Sequence, residues 1–121
     1  MKIKVEQFKK TPFEVKASNK NVTAAYELQL NFAKVSQKME QEDIDPMDIM
    51  QLNLDTTNHV IQFVCDILKL NDKQKDILED METQETTELA TRISMRLMGM
   101  SEAEIASANE DKNGEEESPK K

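Results

Sequence analysis

The stretch Asn21–Met39, NVTAAYELQLNFAKVSQKM, decides the fold class. Ala25, Leu28, Phe32, Val35 and Met39 follow one another at spacings of 3, 4, 3 and 4. At 3.6 residues per turn, all five fall on one face of a helix. Val22 extends the stripe upstream, and no glycine or proline interrupts it. The acidic run Glu40-Gln41-Glu42-Asp43 is where the helix is expected to end.

Upstream of this helix the period is two. Ile3 and Val5 alternate with Lys2, Lys4 and Glu6, and Phe13-Glu14-Val15-Lys16 alternates again beyond Thr11-Pro12. This pattern predicts two short strands within residues 2–16, paired as a hairpin. An isolated hairpin is marginal in water, so it must lean on the helices that follow. Whether the strands pair with each other or with a neighbouring subunit is left open.

Downstream, Asp45-Pro46 is a helix start: a carboxylate cap followed by proline at the first helical position, where its missing N–H costs nothing. Met47, Met50, Leu54, Ile61, Val64 and Leu68 continue in helical register. Leu52 to Asn58 includes Asn, Asp and two Thr, which predicts a break or kink near Asp55. His59 to Leu70 is apolar on most sides and reads as the central core helix. Asn71-Asp72 caps a short helix to about Asp80. Thr83 to Met98 gives another, with Leu89, Ala90, Ile93 and Leu97 inward and Gly99 as a left-handed stop. Ser101-Glu102-Ala103-Glu104 is a capping-box pattern opening a last helix to about Ala108. Asn109 to Lys121 offers almost nothing to bury and is expected to be disordered.

The expected architecture is therefore mainly α: a small helical domain of four to five helices over residues 1–108, a hairpin at 2–16, and a disordered acidic tail at 109–121. A length of 121 residues accommodates one such core. Two glycines and three prolines leave few tight turns, which argues against a sandwich or barrel. A net charge of −8 disfavours nucleic acid, whose phosphates call for clustered Lys and Arg. No apolar run approaches a membrane span, and the N-terminal residues lack a signal peptide's apolar stretch. Cys65 is the only cysteine, so an internal disulfide is excluded and a reducing cytoplasm is expected.

Catalytic patterns are missing. His59 and Cys65 have no third, orienting group, and His59 reads as a polar residue at a helix start. Cys65, among apolar neighbours, reads as a small hydrophobe. Zinc needs about four Cys or His ligands, which the chain lacks. Asn109-x-Asp111-x-Asn113-Gly114 imitates a calcium loop, but its twelfth position is Lys120 where a bidentate Glu is required. Asn21-Val22-Thr23 matches a glycosylation sequon by chance, and Gly99 and Gly114 cannot make a phosphate loop. The acidic run Glu40 to Asp45 reads as solvated surface. No cofactor or metal is expected, and the chain reads as a protein that binds other proteins.

Eight methionines stand out, with Met95, Met98 and Met100 beside Leu97. They either fill a core poor in aromatics or form an adaptable binding surface. In the second reading Met95, Leu97, Met98 and Met100, together with Tyr26 and Leu30 on the exposed part of the first helix, contact the partner.

The order of parts also resembles a known family. A hairpin opens the chain and a long amphipathic helix follows. The core helix ends in Ile67-Leu68-Lys69-Leu70-Asn71-Asp72-Lys73-Gln74, and a short acidic helix comes next. Glu88-Leu89-Ala90-x-x-Ile93 then leads to Leu97-Met98-Gly99-Met100-Ser101. This is similar to the tail assembly chaperones of siphophages infecting Gram-positive bacteria, over roughly residues 1–105. The resemblance implies a protein that coats the tape measure protein in the host cytoplasm, keeps its apolar stripes from aggregating, and is left out of the mature virion. It implies the tail tube protein as a second candidate partner, with a homo-oligomer left open. Many members of the family have a longer, frameshifted form. Pro119-Lys120-Lys121, with A-rich lysine codons, is compatible with a slippery site, which the gene sequence would reveal. The competing class is an acidic phage regulatory protein that occupies a basic host factor. A third, an acidic carrier, would need a serine poised at a helix start, whereas Ser94 is expected mid-helix.

Overall fold

The computed structural model of the chain describes residues 1–108. The acidic tail, the calcium-loop-like segment and the terminal lysines fall outside the described residues. Among the described residues, two strands and five helices follow one another: β1 (Lys2–Ile3), β2 (Phe13–Glu14), α1 (Asn19–Met39), α2 (Pro46–Leu68), α3 (Asp72–Asp80), α4 (Thr83–Leu97) and α5 (residues 102–108).

The strands pair within the chain, antiparallel, with Ile3 opposite Phe13 and Lys2 opposite Glu14. The ladder extends one step further, since Met1 and Val15 exchange hydrogen bonds of 2.7 and 2.8 Å. Alternation puts Ile3, Val5, Phe13 and Val15 into the core, and Phe8 joins them from the turn. Phe8 meets Phe13 edge-on at 6.2 Å, and the Lys9 ammonium sits 4.3 Å above the Phe13 ring. The hairpin thus rests on the helices through one apolar face, as its marginal independent stability requires.

Four of the five helices among the described residues start at a side-chain cap, and α4 starts after Glu82 without one. Ser18 accepts a hydrogen bond from the Asn21 amide and starts α1 at Asn19, two residues before the expected Asn21. Asp45 accepts from Met47 with Pro46 at the first position of α2. Asn71 and Gln74 form a reciprocal capping box at α3, and Ser101 and Glu104 form another at α5. α1, α2 and α4 pack against one another as a three-helix core, with α3 against α2. Leu28, Val64, Leu78, Ile93, Ile3, Val5 and Val15 are the largest of its fully enclosed apolar side chains.

Helix ends differ in how they turn. α4 closes on Gly99 at φ +105°, with Met100 N donating to Met95 O at 3.0 Å and Gly99 N to Arg96 O at 3.2 Å, a Schellman motif. α2 closes in the same way on a lysine: Lys69 is left-handed at φ 52°, and Leu70 N donates to Cys65 O. Leu70 is therefore not part of the helix, although its side chain is buried.

The kink expected near Asp55 is absent, and α2 runs unbroken from Pro46 to Leu68. Asn, Asp and Thr weaken helices mainly by diverting backbone hydrogen bonds. Here Gln51 Nε2 donates to Asp55 Oδ1 at 2.9 Å, one turn along, which holds that carboxylate off the backbone. Neither glycine nor proline lies between Met47 and Leu68 to interrupt the ladder. His59 consequently lies well inside α2 and not at a helix start.

Candidate interaction surface

From Gln29 to His59 no residue is buried. The C-terminal half of α1 and the N-terminal half of α2 form a two-helix arm, joined by residues 40–45, that extends beyond the packed core. Phe32, Val35 and Met39 on α1 and Ile49 and Leu52 on α2 are only half covered. The stripe that predicts α1 therefore changes along its length: Ala25 and Leu28 enter the core, Phe32 packs against its edge, and Val35 and Met39 line the arm.

α2 shows the same division along a single stripe. Met47, Met50, Leu54, Thr57, Ile61, Val64 and Leu68 are spaced 3, 4, 3, 4, 3 and 4, with Thr57 the one polar member. Its lower part is covered: Val64 and Leu68 are buried, and Leu78, Met81, Thr86 and Thr87 line a cavity together with Thr57 and Ile61. Its upper part is bare, with Met47 72%, Met50 62% and Leu54 56% exposed. Sequence reading put these three in register with the core positions and missed that their cover stops at Thr57. The available signal was the acidic surround of Glu40 to Asp55, a stretch without Lys or Arg that marks solvated surface.

Of the six residues expected to contact a partner, Tyr26 and Leu30 lie one turn apart on the outer face of α1, both more than half exposed. They are across the helix from Ala25 and Leu28. The other four gather at the end of α4 but do not share one environment. Leu97, at 4% exposure, belongs to the core and offers no surface, whereas Met98 is 38% exposed. Met95 and Met100 are half-buried, and they are the two residues joined by the 3.0 Å hydrogen bond of the Schellman motif. An apolar pair in those positions is its usual companion. The methionine cluster is in part the closure of α4, with Met98 its outward member.

The polar groups serve the fold. Ser94 is fully buried mid-helix, accepts from Gln29 Nε2 at 2.7 Å and donates to Thr91 O at 2.8 Å, which pins α1 to α4. It cannot carry a prosthetic group. Glu102 binds Arg92 at 2.9 Å and Arg96 at 2.6 Å, which joins α5 to α4, and Arg92 also donates to the Lys4 carbonyl, which joins α4 to the hairpin. The hydrogen bonds from Arg92, and then from Arg96, hold the Glu102 carboxyl below its ordinary range. Burial pushes the Cys65 thiol up, which makes the reactive thiolate scarcer. Among the described residues, no group of three or more His, Cys, Asp or Glu is placed to hold a metal ion. No helix among them is long and apolar enough to cross a membrane.

The structure defines a small helical domain with an arm that leaves apolar side chains bare, a feature that marks interaction surfaces. The sequence matches the family of phage tail assembly chaperone proteins over residues 1–113. The chain belongs to that family. No curated protein and no solved structure matches it.

Proposed function

We propose that this chaperone binds the tape measure protein of a long-tailed phage infecting a Gram-positive host. It keeps that protein soluble in the host cytoplasm until the tail tube forms around it. The observation that carries this reading is the arm: a family member dedicated to tail assembly exposes an unpartnered apolar surface along two helices. A tape measure protein is a long helix with apolar stripes, and helix faces of this kind accept such stripes side by side. Many copies along one filament gain avidity from individually weak contacts. The protein then leaves before the virion is complete, and it acts by binding, without chemistry of its own.

The test is co-expression with the tape measure protein of the same genome, followed by size-exclusion chromatography. Co-elution of a soluble filament carrying many copies supports the reading. Precipitation of the tape measure protein, with this chain left alone in solution, refutes it and turns attention to a basic host factor. For the end of α4, Met98→Glu is expected to abolish co-purification with helicity unchanged. Loss of helicity in circular dichroism would make Met98 a core residue and remove it from the surface.

A further inference from the structure

We propose that the bare half of the α2 stripe is a two-turn docking seam for a helix whose apolar positions are flanked by Lys or Arg. The inference rests on the tape measure reading and specifies the chemistry of the segment bound. Met47, Met50 and Leu54 continue, without change of spacing, the stripe whose lower members the core covers. A 3-4 repeat is the pattern that one straight helix offers another. The seam spans about 10 Å, from the seven helical steps between Met47 and Leu54 at about 1.5 Å each.

Charge chooses the occupant. Beside the seam, past Gln51, runs a groove lined by Asp43, Asp45, Asp48 and Asp55, with Lys38 its one basic lining residue. Residues 40–55 contain no Lys or Arg at all. At about 100° per residue, Asp48 and Asp55 fall on the same side of the seam. Long basic side chains lie along apolar surface and extend their charges past its edge, so a Lys- or Arg-flanked helix reaches those carboxylates from the seam. A second copy of this chain does not fit. Paired antiparallel it sets acidic side against acidic side, and paired parallel it brings two acidic tips together.

The experiment uses the full chain and two synthetic helical peptides with identical leucine seams, one flanked by lysine and one by glutamate, read by fluorescence anisotropy. The lysine peptide is expected to bind at least tenfold more tightly, and the difference is expected to collapse near 1 M salt, where the screening length falls to about 3 Å. The double variant Met50→Ser, Leu54→Ser is expected to lose at least tenfold in affinity with unchanged helicity, since both side chains are mostly exposed. Asp48→Asn with Asp55→Asn is expected to erase the preference while keeping the apolar binding. Equal affinity for the two peptides, or a seam variant that binds normally, overturns the proposal. So does concentration-dependent dimerisation of the free chain that the seam variant abolishes. The two readings fail separately. A tape measure protein that co-elutes equally with the seam variant sinks the seam alone. Selective peptide binding without tape measure binding sinks the function alone.

Discussion

Leu28 and Leu30 are two residues apart on α1, and truncating each to alanine tests the division between core and arm. Leu28 is 0% exposed and Leu30 56%. Leu28→Ala removes a side chain enclosed by the three-helix core, so both its transfer energy and the cavity left behind count, about 3 kcal/mol in all. A domain of this size has a total stability of roughly 5–15 kcal/mol, so that loss is a large part of it. Leu30→Ala vacates no enclosed space, and alanine favours helices, so its cost should stay within about 0.5 kcal/mol. In urea, with a slope of about 1–3 kcal/mol per M, the Leu28 variant should unfold about 1–3 M earlier and the Leu30 variant at nearly the wild-type midpoint. The assay is equilibrium unfolding followed by far-ultraviolet circular dichroism, with unchanged slopes as the check that the denatured state is the same. A Leu30→Ala loss above about 1.5 kcal/mol would mean that the outer face of α1 is packed, and the reasoning would fail. A Leu28→Ala loss below about 1 kcal/mol would fail it from the other side.

Lys69 turns α2 with a left-handed backbone that an L side chain adopts at a cost, so Lys69→Gly is expected to raise stability by about 0.5–1 kcal/mol in the same unfolding assay. Thr56 Oγ1 is buried without a hydrogen-bond partner among the described residues, and Thr56→Val, which keeps the shape, is expected to stabilise by about 1 kcal/mol; destabilisation would reveal a bonded hydroxyl. The Glu102 carboxyl is held below its ordinary range, so its contribution is present above the usual carboxylate pKa and lost as pH falls through the lower, folded value. Glu102→Gln should therefore loosen α5 at neutral pH by at most about 1 kcal/mol, because the pair is partly exposed. The gap between variant and wild type should close in acid, as read from the amide signal of Ile105. A gap that does not change with pH would assign the contact to packing.

Local chemistry made most of this protein legible in the sequence. The 3-4 spacing from Ala25 to Met39, the Asp45-Pro46 start, the Asn71 and Ser101 caps and the Gly99 stop all act over four or five residues. Such signals hold whatever the rest of the chain does, and the corresponding helices stand in the structure. The alternation of Ile3, Val5, Phe13 and Val15 likewise forecast a hairpin with one buried face. The resemblance read from the order of these parts agrees with the family that the sequence matches over residues 1–113.

What tertiary structure alone decided is which part of each stripe meets a neighbour. Periodicity says that Met47, Met50 and Leu54 share a face with Val64 and Leu68, and it is right. It cannot say that α3 and α4 cover that face only as far as Thr57, because coverage depends on the placement of distant segments. The same holds for Leu97 and Met98, adjacent in sequence, one in the core and one facing out. The continuity of α2 through Asp55 was settled against local propensity. A few tenths of a kcal/mol per residue from Asn, Asp and Thr is small beside the packing of a long helix on its neighbours. A short-range code fixed the elements, and the long-range closure of the core fixed which of their faces remain free for a partner.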